Sequence, residues 1–281
     1  MKKAKDIYKF DEKNHIHTLD DKPLTGTSSI GNVLAKGGLV WWASGKACEV
    51  MGWVYPNIKE NGKIIGKVPV EDRLKVSESI HLAITNDTPE EYLARLDIAY
   101  KAHATHLKDS AKKGTDLHAI LERFVKEDME RKNIVPLSEE ETWLIEPFID
   151  WSRKNVKKFL ASEAHCYSKE LWVGGIVDAV AELNDGTIAV IDFKSSREAY
   201  ITQFLQASGY AIQIDENGLF SEDGNHNKRI DKIGALIVVP FGAEIIKPEI
   251  RKQIEEYKKG FECAVELYRL LDLDNLINNK K

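Results

Sequence analysis

Between Tyr167 and Phe193 the hydrophobic rhythm of the chain changes from a helical to a two-residue period, and that change restricts the fold more than any other feature. Just upstream, Leu117, Ile120, Leu121 and Phe124 recur at helical spacing on one face. Tyr167 to Trp172, Gly175 to Leu183 and Thr187 to Phe193 instead read as three successive strands. Asn184-Asp-Gly186 separates the last two. Because Asn, Asp and Gly tolerate positive φ, it predicts a tight antiparallel hairpin. A helix is expected over Ala199–Ile214, a polar loop over 215–231, a buried strand over Lys232–Pro240 and a closing amphipathic helix over Lys247–Leu271. Strands bracketed by helices predict an α/β domain.

The first third is mixed. Ile7-Tyr-Lys-Phe10 and His15-Ile-His-Thr18 predict a hairpin, and Ile30–Ala47 two short helices meeting at Gly37-Gly38. Residues 57–70 read as a surface loop. Thr88-Pro-Glu-Glu91 and Ser138-Glu-Glu-Glu141 are capping boxes. The first should open a helix to about Lys113, with Gly114-Thr115 as a break before a second stretch over Asp116–Arg131. The other should reach about Leu160, bent at Pro147. In 281 residues no repeat or low-complexity linker stands out. The expected organisation is one continuous domain, with an N-terminal hairpin and helical elaboration (1–100) packed on a core (101–281).

A net charge of −5 argues against a histone-like, purely electrostatic nucleic-acid binder, while leaving room for a local basic groove. Cys48, Cys166 and Cys263 form neither a CxxC pair nor a disulfide ladder, which fits a reducing compartment. No apolar run approaches the ~20 residues that span a bilayer, and Met1-Lys-Lys-Ala-Lys-Asp6 lacks the apolar stretch of a signal peptide. A cytoplasmic location without membrane partners is expected.

The chemistry concentrates in the hairpin. Asp178 and Asp192 lie equally far from its midpoint at residue 185, so in an ideal pair they face each other. Two adjacent carboxylates repel unless a cation sits between them, and hard oxygen ligands suit Mg²⁺ or Mn²⁺. Lys194 follows Asp192 by two and emerges on the same face, where an ammonium can polarise water or stabilise charge on a phosphorane. The alternative is a structural Asp–Lys pair on a solvent face.

These residues carry a resemblance. Gly175-Ile-Val-Asp178, Ile191-Asp-Phe-Lys194 and Gln206-Ala-Ser-Gly-Tyr210 resemble the G-x-x-D, D-x-K and Q-x-x-x-Y motifs of RecB-like nucleases of the PD-(D/E)XK superfamily. Gly114-Thr-Asp-Leu-His118 is similar to that family's G-T-x-x-H helix. The resemblance spans roughly residues 110–215. It implies a restriction-endonuclease-like α/β/α core with a central mixed sheet. It further implies a Mg²⁺-dependent DNA exonuclease, with Mn²⁺ able to substitute, held by His118, Asp178, Asp192 and the backbone carbonyl of Phe193. Lys194 would position the attacking water. Gln206 and Tyr210 would border the site, the tyrosine stacking on a base or bonding a phosphate. The chain has no G-x-x-x-x-G-K-[ST] loop and no iron–sulfur cysteines, so ATP-independent resection of DNA ends is the implied activity. A single-strand annealing protein as partner, and a bacterial or phage-infected cell as setting, are likewise implied. A structure-specific or flap endonuclease and a non-catalytic DNA-binding scaffold are the alternatives on the same core.

Other residues carry weaker signals. Glu122, one turn after His118, reads either as an acceptor for the histidine ring N–H or as a solvent-facing acid. Without a second histidine, this is no zinc-protease motif. Glu170 on the preceding strand reads as a supporting acid, a second-metal ligand or a surface salt bridge. Lys101, Lys108, Lys112 and Lys113, with His103 and His106, form a locally basic stretch suited to steering phosphate, or a solvated helix face. Ser195 and Ser196 suit phosphate contacts or helix capping. Adjacent on a helix, Trp41 and Trp42 point ~100° apart, so one is expected in the core and the other exposed, where it can stack on a base.

Overall fold

A computed structural model of the chain describes residues 7–34, 38–60, 63–129, 135–220, 227–242 and 246–278. It divides into two compact units, Met1–Leu34 with Asp116–Lys281, and Ala35–Thr115. The divisions thus fall at 34/35 and 115/116, where the sequence suggested 100/101, and the N-terminal hairpin belongs with the core.

The chain opens with an antiparallel three-stranded sheet of β1 (Tyr8–Asp11), β2 (Ile16–Leu19) and β3 (Lys22–Pro23). Then come β4 (Thr25–Gly26), the short helix α1 (Thr27–Ile30) and a 3-10 turn over Gly31–Val33. The second unit holds α2 (Gly38–Val50), a hairpin of β5 (Asn57–Glu60) and β6 (Lys63–Lys67), α3 (Val70–Asn86) and the first part of α4 (Pro89–Asp128). Its hairpin takes up most of the expected surface loop over 57–70, and α3 starts at the last of those residues. α4 runs unbroken through Gly114-Thr115, where a break was expected; one helical glycine costs only ~1 kcal/mol. Residues 35–37, which include the glycine of the expected α1–α2 junction, lie outside the described residues.

Back in the first unit come α5 (Glu139–Asn155), β7 (Val156–Ser168), β8 (Val173–Leu183), β9 (Ile188–Lys194) and α6 (Ile201–Asn217). They are followed by β10 (Leu219–Phe220), β11 (Asn227–Lys228), β12 (Ile233–Pro240), β13 (Glu249–Arg251) and α7 (Ile254–Asn278). Ser138 caps α5 through the expected reciprocal bonds with Glu141. The helix ends at Asn155, so residues 156–160 begin a 13-residue strand instead of completing a helix. Gly186 adopts φ +82 in the β8–β9 turn, as its sequence predicted. The closing helix begins later than expected, because 249–251 pair as an edge strand.

The main sheet is mixed, in the order β11-β10-β7-β8-β9-β12-β13, with β4 added parallel to β8. β12 lies parallel to β9 after the crossover through α6. Period-2 alternation makes both faces apolar. Ala189, Ile191, Phe193 and Ile237 pack with Leu121, Ile145 and Phe148 of α4 and α5. Val190, Val180 and Val238 pack with Phe204, Tyr210 and Ile214 of α6. The sheet is therefore covered by helices on both faces, and Lys194 stands at the carboxyl end of β9, level with Pro240 of β12. Among the described residues no helix is long and apolar enough to cross a membrane.

Candidate metal centre

The β8–β9 ladder pairs Ala179 with Ile191 through Glu182 with Ile188, and one further step sets Asp178 level with Asp192. On the other side of β8, Ser162 pairs with Ala179 and Ala164 with Val177, which sets Glu163 level with Asp178. Glu163 holds φ +48, a left-handed backbone uncommon for a residue with a side chain. Such outliers cluster at functional sites. From α4, His118 brings Nε2 to 3.3 Å from Asp178 Oδ2, and its ring meets that of Phe193 edge-on. Asp178 also accepts the Phe193 backbone N–H at 2.6 Å. His118, Glu163 and Asp178 each offer a ligand atom, all within 4.8 Å of one another.

Asp192 falls outside that triad, 1% exposed and bound to Lys194, whose ammonium lies 2.8 Å from each carboxylate oxygen. Only Oδ1 receives a well-directed hydrogen bond; Asp192 Oδ2 and Glu163 Oε1 are buried without one. Leaving a buried acceptor unpaired costs about 1–3 kcal/mol, more for a charged group. Carboxylate oxygens with one imidazole nitrogen form a donor set suited to a hard or borderline divalent cation, and the residues present fit one.

The protonation equilibria reflect crowded negative charge. Burial, reinforced by Asp178 and Glu122, pushes Glu163 up to about 7. Burial also pushes Asp192 up to about 7, with Lys194 opposing the rise and Asp178 adding to it. For His118, burial favours the neutral ring, but the hydrogen bond and charge of Asp178, with Glu163 and Glu122, prevail and raise its pKa. Lys194 is likewise raised: Asp192 and Asp178 outweigh its burial and keep it an ammonium. The cluster thus tends to retain protons that a cation displaces.

Behind the site, Gly175 has no room for a side chain; a Cβ there would sit 2.7 Å from Tyr210 Cε1 and 2.8 Å from Thr27 Oγ1. Gln206 donates to the Tyr210 hydroxyl at 2.8 Å. Burial first, then Asp192 and Asp178, raise the Tyr210 phenol well above its usual range. The Tyr210 ring is part of the core, so the expected stacking surface is not available. Gln213 ties Thr27 to α6, and Thr27 in turn donates to the Gly174 carbonyl.

Other expectations change. Glu122 pairs with Lys126 and acts on His118 through charge alone, because the α4 i, i+4 lysine takes its carboxylate. Glu170 is exposed in the turn after β7, its amide bound to Glu216, and the acid that the strand brings to the centre is Glu163. Ser195 is exposed; Ser196 bonds the Glu198 carbonyl and Gln203, while Tyr200 occupies the α6 N-cap. Trp41 is exposed, and Trp42 is half-buried with its ring edge-on to His106. Lys101 and Lys108 are exposed; the side chains of Lys112 and Lys113 lie outside the described residues. Sequence reasoning missed Glu163, although an acid inside the apolar run Phe159-Leu-Ala-Ser-Glu-Ala-His-Cys166 was the available signal. No family model matches the chain, and no curated protein matches it.

Proposed function

We propose that the chain is a divalent-metal-dependent phosphodiester hydrolase of the PD-(D/E)XK type, acting on DNA ends as an ATP-independent exonuclease. The observation that carries this reading is the juxtaposition of the His118–Glu163–Asp178 cluster with a buried Asp192–Lys194 pair, with Glu163 Oε1 buried and without a hydrogen bond and Asp192 Oδ2 held only by its ion pair with Lys194. The helix-covered mixed sheet agrees with a restriction-endonuclease-like core. His118, Glu163, Asp178 and Asp192 would hold Mg²⁺ or Mn²⁺, with the Phe193 carbonyl added by the resemblance. When bound, such a cation supplies neutralising charge at phosphate and lowers the pKa of water.

The chain's own residues do the rest. Asp178, bonded to His118 and to the Phe193 amide, is fixed in orientation. Asp192 holds the Lys194 ammonium at the carboxyl end of β9, where the ammonium orients a water and offsets charge growing on the phosphoryl oxygens. Tyr210 and Gln206 close the α6 side of the site. Duplex ends, a single-strand annealing partner and a cytoplasmic setting complete the proposal on the strength of the resemblance.

End-labelled linear DNA and closed circles, incubated with Mg²⁺, Mn²⁺ or EDTA, test it. Release of nucleotides from linear ends alone, lost in EDTA and in Asp192→Asn, is the expected result. Cutting of circles would reassign the enzyme as an endonuclease with the same chemistry. Retained DNA binding without cutting would make it a scaffold. Undiminished cutting by Asp192→Asn would overturn the metal-centre reading.

A further inference from the structure

The seven residues after Lys194 form a lip held at several points. The Lys194 and Ser196 carbonyls accept the Phe241 and Gly242 amides, each at 2.9 Å. Ser196 Oγ donates to the Glu198 carbonyl and accepts from Gln203 Nε2. Gln203 Oε1 in turn accepts the Tyr200 amide at 2.8 Å. The lip ends in an exposed apolar pair, Tyr200 at 48% and Ile201 at 67% exposure. The Gln203 bond pins the Tyr200 backbone at the start of α6. Arg197 and Ser195 are exposed on the same stretch.

Tyr200 leaves much of its ring in solvent at the end of a stretch whose backbone is pinned, whereas aromatic side chains ordinarily bury their large apolar faces. Holding the backbone of this stretch in advance reduces the entropy lost when a flat apolar partner binds. Position narrows the choice of partner. Tyr200 precedes Gln206 by six residues, about 9 Å along a helix axis, and Gln206 bonds Tyr210, whose ring packs over Gly175 of the strand that bears Asp178. Stacked nucleotides advance about 3.4 Å along a strand, so the separation of Tyr200 from Gln206 corresponds to about two or three nucleotides. Arg197 adds a cation for the intervening backbone.

We infer that Tyr200, backed by Ile201, is the platform on which a base about two or three nucleotides from the cut site stacks, the role that the buried Tyr210 ring does not fill. This rests on the nuclease reading above and extends it to how the strand is gripped. Tyr200 is a positioning residue: it holds the strand in register for the Asp192–Lys194 pair and contributes to binding more than to the chemical step.

The test uses the full chain, Mg²⁺ and duplexes carrying 2-aminopurine at successive terminal nucleotides. Stopped-flow fluorescence reads stacking before the cut, and steady-state cleavage gives kcat and KM separately. Tyr200→Ala should abolish the quench and raise KM about tenfold, within the range expected for one lost base–aromatic stack, with kcat changed less than about threefold. Tyr200→Phe should keep both the quench and KM. Tyr200→Leu, which preserves bulk without a ring, should behave as Tyr200→Ala and stands in for it if the alanine variant does not fold. A Tyr200→Leu or Tyr200→Ala enzyme that cuts with unaltered KM and quench overturns the inference and leaves the nuclease reading standing. A wild type that quenches but never cuts overturns the nuclease reading and leaves the stacking platform. One that does neither overturns both.

Discussion

Glu163→Gln should stabilise the metal-free protein while weakening its hold on metal. Burial and the neighbouring acids raise Glu163 from 4.5 to about 7. In the unfolded chain it releases its proton near its ordinary pKa, whereas the folded protein retains that proton until the pH approaches 7. The folded state therefore binds more protons across this window, and stability falls as pH rises through it, levelling off above the folded pKa. At about 1.4 kcal/mol per unit, the shift corresponds to a cost on the order of 3 kcal/mol at pH 8 and about 1 kcal/mol at pH 5. Glutamine keeps the shape and removes the titration. Urea unfolding in EDTA should show Glu163→Gln more stable than wild type, with the gap widening by about 2 kcal/mol from pH 5 to pH 8. Adding Mn²⁺ should reverse the order, because ligand linkage stabilises the protein with the tighter site. A gap that does not change with pH, together with equal Mn²⁺ stabilisation of both proteins, would refute the placement of Glu163 among the ligands.

Two further outcomes follow from the geometry. Lys194→Ala should lower single-turnover cleavage by about 10²–10³, the size typical for losing a group that acts in the transition state, while circular dichroism reports a folded protein; a loss of less than threefold would make Lys194 a structural counter-ion. His17, pushed down to about 4 by burial and then by His165 and His15, stays neutral in the fold. Stability that is complete above pH 6.5 should decline by about 2 kcal/mol on acidification to pH 5, and urea midpoints of His17→Asn should lack that component.

The β8–β9 hairpin was legible because local chemistry suffices to specify it. Asn184-Asp-Gly186 dictates the turn, and counting outward from it aligns Asp178 with Asp192. Ser138 and Glu141 likewise announce α5 by themselves. The missed features depend on distant partners. β4 is two residues long, and only its pairing with Val173 and Gly174 makes it a strand. Residues 156–160 carry a polar–apolar mixture that suits either helix or strand, and β8 decides between them. That ambiguity hid Glu163, whose importance comes from its place opposite Asp178. The register sets Asp178 level with Asp192, as expected, while each carboxylate takes its own partners, His118 with the Phe193 amide in one case and Lys194 in the other. Tyr210 looked like an edge residue from its i, i+4 spacing, but the space over Gly175 draws its ring inward.

Thr27 meets Gly174 and Gln213, residues that leave the ribosome long after it does. At roughly 5–20 residues per second, synthesis from one to the other takes on the order of ten to forty seconds. During that interval the N-terminal segment has no seat, because the strand bearing Asp178, whose first residues pair with it, has yet to be made. Assembly of the centre is thereby postponed until most of the polypeptide exists. A cut that detaches the first thirty-odd residues would remove the partner of Val173 and Gly174, and so act on the strand bearing Asp178 from the far end of the chain.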